Sequence, residues 1–321
     1  MNINDYCDIM NFIKKIHNFF YIDHIIEQED QAEMTAEGTF YGAGRTELYY
    51  RIIKPKGTPK AAVILVHGFG DHSGGLHHLS AGLSEKKYTV YALDLRGHGK
   101  SAGKRGYVQN WNEFKEDLQK FEKLIAQQQP KLPIFLVGHS MGALISLDYV
   151  MDHGEGLSGV VAISPAISYQ ASLLERIGLK ILNVLKPDLP LIKKGNFRLK
   201  EKDPYLQESR NPEGLRHNTI TPALGRELLL AITRVERQAQ DLKLPFLLQY
   251  GLDDKITPPE KLVTFFRQAC SREKQVREYP GVRHRPFDEA GKEMVLEDLK
   301  AWLDQLIEKK YQGMYKSAGR L

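Results

Sequence analysis

Gly138-His139-Ser140-Met141-Gly142 stands between the apolar run at 133–137 and a helix-favouring stretch at 143–149. Strand, then G-x-S-x-G, then helix is a reversal so tight that side chains two residues either side of the serine would clash, hence glycine at both places. The turn lifts Ser140 to the carboxyl end of a strand and the N-terminus of a helix, whose dipole favours negative charge. A chain carrying this unit is committed to packing a helix against a buried strand. An α/β architecture is therefore expected.

A serine hydroxyl becomes a nucleophile only when a base takes its proton, and the base needs a third group to orient it. In doubly wound sheets with this turn the chain order is Ser, then Asp or Glu, then His. Of the 11 histidines only His153, His217 and His284 follow Ser140, and His153 comes too soon after it for another strand and an acid to lie between. His217 lies in a polar stretch with no strand before it. His284 follows the β-prone run at 275–279, closed by Pro280-Gly281, so it sits on a loop at a strand's carboxyl end, where catalytic loops belong. The run Pro245-Phe246-Leu247-Leu248-Gln249-Tyr250-Gly251 reads as a buried parallel strand, and Asp253-Asp254 follow it directly. A turn or a helix cap near Pro259 is the structural alternative for this pair. With Ser140 and His284 placed around it, one of the two is expected to be the orienting acid.

The negative charge that develops on an attacked carbonyl needs two backbone N–H donors. Met141, the residue after the nucleophile, supplies one. The second belongs on a loop after an earlier strand, and His67-Gly68-Phe69-Gly70 follows the run at 61–66. Its glycines allow close approach, which makes Phe69 the expected donor. His67, ahead of Ser140 and without a partner at metal-ligand spacing, reads as a residue that staples this loop by hydrogen bonding.

Taken together, His67-Gly68-Phe69-Gly70-Asp71-His72-Ser73, Asp94-Leu95-Arg96-Gly97-His98-Gly99-Lys100-Ser101, the Ser140 turn, and Asp254 with His284 thirty positions later resemble the monoacylglycerol lipase and lysophospholipase branch of the α/β-hydrolases. The resemblance runs from about Thr39 to Leu306 and weakens between about Ile167 and Asp241. It implies Ser140 as nucleophile, His284 as base, Asp254 as orienting acid, Phe69 and Met141 as oxyanion donors, no cofactor, no metal, and a small lipid ester as substrate. Animal members of that branch carry a cysteine three residues after the aspartate. Here that place is Thr257, so thiol-dependent inhibition is not expected to transfer.

The resemblance and the strand pattern predict an α/β-hydrolase fold, a mostly parallel doubly wound sheet with a helical lid insertion. The expected strands are 39–41, 48–53, 63–66, 90–93, 134–137, 160–163, 246–250 and 276–279. The core is expected at 35–165 and 241–312, the lid at 166–240, an N-terminal helical extension at 1–34 and a tail at 313–321. The stretch at 166–240 is far too long for a βα connection of two to six residues. Apolar stripes at Leu173, Leu174, Ile177, Ile181, Leu182 and Leu185, and again at Leu228, Leu229, Leu230 and Ile232, are expected to pack against the body or to enclose an acyl chain. The lid holds 13 Lys and Arg against 8 Asp and Glu, an excess equal to the +5 of the whole chain. Lys193, Lys194, Arg198, Lys200 and Lys202 alternate with Glu201 and Asp203, which reads as a solvated face and not as a nucleic-acid surface.

Two cysteines with no pairing pattern suit a reducing compartment, and a cytoplasmic protein is expected. No apolar run is long enough to span a bilayer. Ile9, Phe12, Ile13, Ile16, Phe19 and Phe20 repeat at helical spacing, broken by Lys14-Lys15, which is not the pattern of a secretory signal. Three readings of this segment stand open: a helix lying in a membrane surface, a helix on the domain, or translation from Met34. Transient membrane-surface contact is expected through the N-terminal helix on the first reading, or through the positively charged lid. Three alternatives to a lipid esterase are carried forward. They are a short-chain carboxylesterase, an amidase or aminopeptidase-like enzyme on the same triad, and a catalytically silent binding module on the same scaffold.

Overall fold

Every residue in the strands Ala61–Val66, Ile134–His139, Gly159–Ile163 and Phe246–Gly251 is buried. Burial on both faces is why these segments are predominantly apolar and not alternating. The computed structural model describes residues 34–169, 171–192, 214–289 and 291–318. The elements begin with β1 (Met34–Tyr41), β2 (Glu47–Lys54), β3 (Ala61–Val66), α1 (His77–Glu85) and β4 (Tyr88–Leu93). Next come α2 (Asn112–Gln128), β5 (Ile134–His139), α3 (Met141–His153), β6 (Gly159–Ile163) and α4 (Leu173–Leu185). The two-residue strands β7 (Leu191–Ile192) and β8 (Thr219–Ile220) precede α5 (Pro222–Arg237) and β9 (Phe246–Gly251). The chain ends with α6 (Pro259–Gln268), β10 (Lys274–Tyr279) and α7 (Lys292–Ala318).

One sheet of eight strands has the order β1-β2-β4-β3-β5-β6-β9-β10. β2 runs antiparallel to β4, and the pairings from β4 through β3, β5, β6 and β9 to β10 are parallel. Each expected strand is present. Residues alternate between two cores. Ile64, Leu136, Ala162 and Leu248 join Phe114 and Phe121 of α2, Leu144 of α3, Leu224 and Val235 of α5, and Phe265 of α6. Leu65, Val137, Val161 and Leu247 join Leu79 and Leu83 of α1 and Val295, Leu299 and Trp302 of α7 on the opposite face. β3 has β4 on one side and β5 on the other, so the chain reverses its direction of travel there. The carboxyl ends of β3 and β5 therefore open the crevice in which ligands bind in such sheets.

Among the described residues, the insertion between β6 and β9 carries two unlike helices. α5 starts at an N-cap, with the Thr221 hydroxyl accepting from the Leu224 N–H and proline at its first position. Its Leu224, Ala231, Ile232 and Val235 are buried in the main core, and Arg234 holds Asp148 of α3 at 2.8 Å. Of the second expected stripe, Ile232 is buried and Leu228 and Leu229 pack partly on the body, whereas Leu230 is exposed. α4 starts at a capping box between Ser172 and Glu175, yet none of its residues is buried. Leu179 and Leu182 are half-buried, and Gly225 of α5 lies so close that a Cβ there would stand 2.9 Å from Leu179 Cδ2. Leu173, Leu174, Ile177, Ile181, Val184 and Leu185 face outward instead. This departs from the expected burial, because α5 already occupies the body contact and leaves α4 only its own flank to rest on.

Residues 1–33, with the apolar repeat from Ile9 to Phe20, and the basic residues Lys193, Lys194, Arg198, Lys200 and Lys202 lie outside the described residues. α7 runs to Ala318, past the boundary expected at 312. Adding residues to an existing helix is inexpensive, and no proline interrupts the segment. No helix among the described residues is long and apolar enough to cross a membrane.

Candidate active site

Ser140 sits at φ 54° and ψ −117°, outside the regions that L residues ordinarily occupy. A conformation of this kind costs about 1–3 kcal/mol and persists only where the surroundings enforce it. They do so here through three backbone bonds. The Ser140 N–H donates to the Ile163 carbonyl at 3.0 Å, and the Ser140 carbonyl accepts from Leu144 and Ala166, both at 3.1 Å. The two glycines are required by contact as well as by the turn. A Cβ on Gly138 would lie 2.6 Å from Ala143 Cα, and one on Gly142 would lie 2.3 Å from the Val66 carbonyl oxygen.

The structure brings together Ser140, His284 and Asp254 from three separate loops. Ser140 Oγ is 2.9 Å from His284 Nε2, and His284 Nδ1 is 2.8 Å from Asp254 Oδ2. A carboxylate can only accept, so Nδ1 carries the imidazole hydrogen and Nε2 is left to receive the serine proton. Asp254 is buried at 3% exposure, and its other oxygen accepts the N–H groups of Ile256 at 2.8 Å and Thr257 at 2.9 Å. Burial alone would raise its pKa. Bonds from His284 and Thr257 outweigh that and hold the carboxyl below its usual range. Asp253 is exposed, with its N–H spent on the Val282 carbonyl at 2.9 Å.

The expected oxyanion residues flank the serine. Met141 is the first residue of α3, where a helix leaves its N–H groups without intrahelical acceptors. A Cβ on Gly68 would stand 3.0 Å from Ser140 Cβ, so the Gly68-Phe69 backbone runs directly beside the nucleophile. His67 staples this loop. Its Nε2 accepts the Leu95 N–H at 3.0 Å, and its Nδ1 bonds the Gly68 carbonyl at 2.7 Å. The loop from Asp94 to Ser101 is support of the same kind: Asp94 accepts the N–H groups of Ser73 at 2.6 Å and Lys100 at 2.7 Å.

With this geometry in view, comparison with known proteins is specific. The family described as Hydrolase_4, serine aminopeptidase, S33, matches residues 57–291, well over half of the chain. The protein is a Hydrolase_4 family member. Monoglyceride lipase of Rattus norvegicus is 31% identical over 266 residues, which span 81% of this chain and 88% of that one. Monoacylglycerol lipase of Mycolicibacterium smegmatis is 29% identical over 272 residues, 84% of this chain and 96% of that one. Among solved structures, Paleococcus ferrophilus monoacylglycerol lipase superposes with a TM-score of 0.71 at 30% identity, covering 81% of this chain and 98% of that one. The architecture is accordingly the α/β-hydrolase fold.

Around the site this hydrolase carries polar residues that sequence reasoning passed over. Arg285, directly after His284, donates to Asp71 at 2.6 Å, to Asp288 at 2.6 Å and to the Gly75 carbonyl at 2.6 Å. Arg216 holds the other oxygen of Asp71 at 2.7 Å. Asp71 is buried, which would raise its pKa, but Arg285 and Arg216 outweigh burial and keep it ionised far below the usual range. The loop beside Ser140, the histidine loop and the stretch around Arg216 are thus pinned to one carboxylate. The adjacent Arg after His284 and the Asp after Gly70 were the available signals. His217 is no base for Ser140. Its ring stands edge-on to Phe69 at 5.8 Å and 4.6 Å from His98, and burial with nearby Arg105 lowers its pKa to about 4.

Proposed function

We propose that this hydrolase cleaves the fatty acyl ester of a monoacylglycerol or a lysophospholipid through an acyl-enzyme. The observation that carries the reading is the relay Ser140 Oγ, His284 Nε2, His284 Nδ1, Asp254 Oδ2, at 2.9 and 2.8 Å, mounted on a strained turn. Ser140 Oγ bonds to the ester carbonyl carbon while its proton passes to His284 Nε2. Phe69 and Met141 N–H groups face the oxygen that becomes negative, and Asp254 offsets the charge on the imidazolium. Collapse breaks the bond to the alcohol oxygen, which leaves with the proton from His284. Water then repeats the sequence on the acyl-serine, releasing a fatty acid and restoring the hydroxyl.

The choice of substrate rests on the lipase relatives and on the segment at 166–240, read here as a lid. The outward apolar face of α4 suits contact with the lipid surface that holds such a substrate, with Arg176 and Lys180 on the same helix for anionic headgroups. The exposed free thiol of Cys270 fits a reducing, cytoplasmic compartment, and the outward face of α4 fits peripheral membrane contact. The family's aminopeptidase description favours a second reading, hydrolysis of an N-terminal peptide bond by the same three residues.

A fluorophosphonate probe is expected to label the protein and to fail on Ser140→Ala; absence of labelling would leave a silent binding module. Fatty acid release from monoacylglycerol or lysophospholipid then tests the substrate class. The specificity constant for p-nitrophenyl esters should climb from two to eight or ten acyl carbons, since each buried methylene contributes up to about 0.8 kcal/mol. A profile falling beyond four carbons with no lipid hydrolysis would assign a short-chain esterase. Turnover of aminoacyl anilides in preference to esters would assign the peptidase.

A further inference from the structure

Thr257 is buried at 1% exposure, three residues after Asp254, and its side chain does more than help keep that carboxyl ionised. Its hydroxyl oxygen lies 2.5 Å from Asp254 Oδ2, 3.3 Å from His284 Nδ1 and 3.4 Å from the Ser164 carbonyl. A hydroxyl has one hydrogen to give. The shortest contact is to a charged acceptor, where such bonds are strongest, so the hydrogen points at Asp254 Oδ2. That oxygen then receives two hydrogens, from the threonine and from the imidazole. The other receives two peptide N–H groups, from Ile256 and Thr257. Four donors on a carboxylate with about four acceptor positions leave it no second rotamer of comparable energy.

The two peptide donors alone form a turn that any aspartate followed by an ordinary loop can make. They fix Oδ1 but leave the plane of the carboxylate to be set by whatever meets Oδ2. We propose that Thr257 is a positioning residue, whose hydroxyl sets Asp254 Oδ2 in line with His284 Nδ1 and so orients the base toward Ser140. This rests on the reading of Ser140, His284 and Asp254 given above. It also accounts for why a hydroxyl residue, and not merely a small one, fills this buried corner. An apolar side chain of the same shape would pack as well but would leave Oδ2 one donor short.

Thr257→Val removes the hydroxyl and keeps the shape and the peptide N–H. Steady-state hydrolysis of a short p-nitrophenyl ester is expected to show kcat reduced about tenfold or more, KM within about twofold of the parent, and an unchanged circular dichroism spectrum. Thr257→Ser is expected to recover kcat to within about threefold. In an Asp254→Asn background, the Thr257→Val substitution is expected to cost less than about twofold in the fluorophosphonate labelling rate, because no carboxylate remains to be held. Equal activity of Thr257→Val and the parent overturns the proposal. So does a serine variant no better than the valine one, or an undiminished penalty in the asparagine background. If Thr257→Val does not fold, Thr257→Ala against Thr257→Ser gives the same contrast, and equal rates overturn it. Failure of the underlying triad reading shows separately, as near-normal activity of Asp254→Asn alone.

Discussion

The backbone N–H of His217 donates to the carbonyl of Gly70 at 2.9 Å, which fastens the irregular stretch ahead of β8 to the loop running beside Ser140. The contact is close on both sides. A Cβ on Gly70 would stand 2.1 Å from the His217 carbonyl oxygen, and Gly70 itself is at φ +71°. Just beyond, the Thr221 N–H and hydroxyl both donate to the Gly106 carbonyl, at 3.0 and 2.8 Å. The stretch from His217 to Thr221 is therefore sewn to the body beside Ser140, whereas the apolar face of α4 is exposed.

Gly70→Ala tests that seam. Backbone meets backbone there, so neither side can yield by changing a rotamer, and the positive φ adds strain of about 1–3 kcal/mol. A fall in kcat/KM of about tenfold or more on a short ester is expected, together with a lower urea midpoint. Unchanged values of both would mean that the two segments do not press on each other.

Between the adjacent acids, Asp254→Asn is expected to reduce kcat by about 10³–10⁴-fold, because asparagine favours the wrong His284 tautomer. Asp253→Asn is expected to change it less than about threefold. Titration of active sites with a fluorophosphonate before the kinetic runs removes differences in folded fraction. The reverse ordering would transfer the orienting role to Asp253.

These two acids also mark where the sequence stops being informative. The buried strands were legible because a strand covered on both faces is predominantly apolar, and Ser140 with His284 followed from glycine spacing and chain order. Asp253 and Asp254 follow the same strand and differ by one position, so only family resemblance separated them. What separates them physically is the turn: one carboxylate receives the N–H groups of residues 256 and 257, and the other faces solvent. The Asp71 cluster was illegible for another reason, since Arg216 and Arg285 reach it from 145 and 214 residues away. β7 and β8 are two residues each, too short to display alternation. The outward stripe of α4 was misread because periodicity reports an apolar face without saying what covers it.

The residue before the nucleophile should make stability depend on pH. His139 donates from Nε2 to the His284 carbonyl at 3.0 Å, and burial, then His284 and Arg285, lower its pKa to about 3. An unfolded histidine titrates near about 6.5. The unfolded state thus binds the extra proton first, and stability contributed by the neutral ring is present above about 6.5 and is lost as pH falls toward about 3. By pH 5 the loss from this ring is on the order of 1–2 kcal/mol. Urea midpoints at pH 7 and pH 5 measure it. His139→Gln keeps a donor near the Nε2 position without titrating, so its midpoint is expected to fall less between the two pH values. An identical fall in both proteins would remove His139 as the source.

The outward face of α4 makes the last prediction. Leu174 and Val184 are 82% and 81% exposed, and they share a face with Leu173, Ile177, Ile181 and Leu185. Full burial of one such side chain contributes about 1.5–3 kcal/mol, so partial burial of two in a bilayer surface is enough to decide whether the protein stays there. Leu174→Glu with Val184→Glu replaces that gain with a charge cost and adds repulsion from anionic headgroups. Co-sedimentation with phosphatidylcholine and phosphatidylglycerol vesicles is expected to drop about tenfold or more, and hydrolysis of vesicle-borne monoacylglycerol to fall with it. Turnover of a water-soluble acetyl or butyryl ester is expected to stay within about twofold, since both positions point away from the body that carries Ser140. Equal losses on the soluble and the vesicle-borne substrate would mean that α4 serves the site itself. Undiminished vesicle binding would mean that another surface meets the lipid.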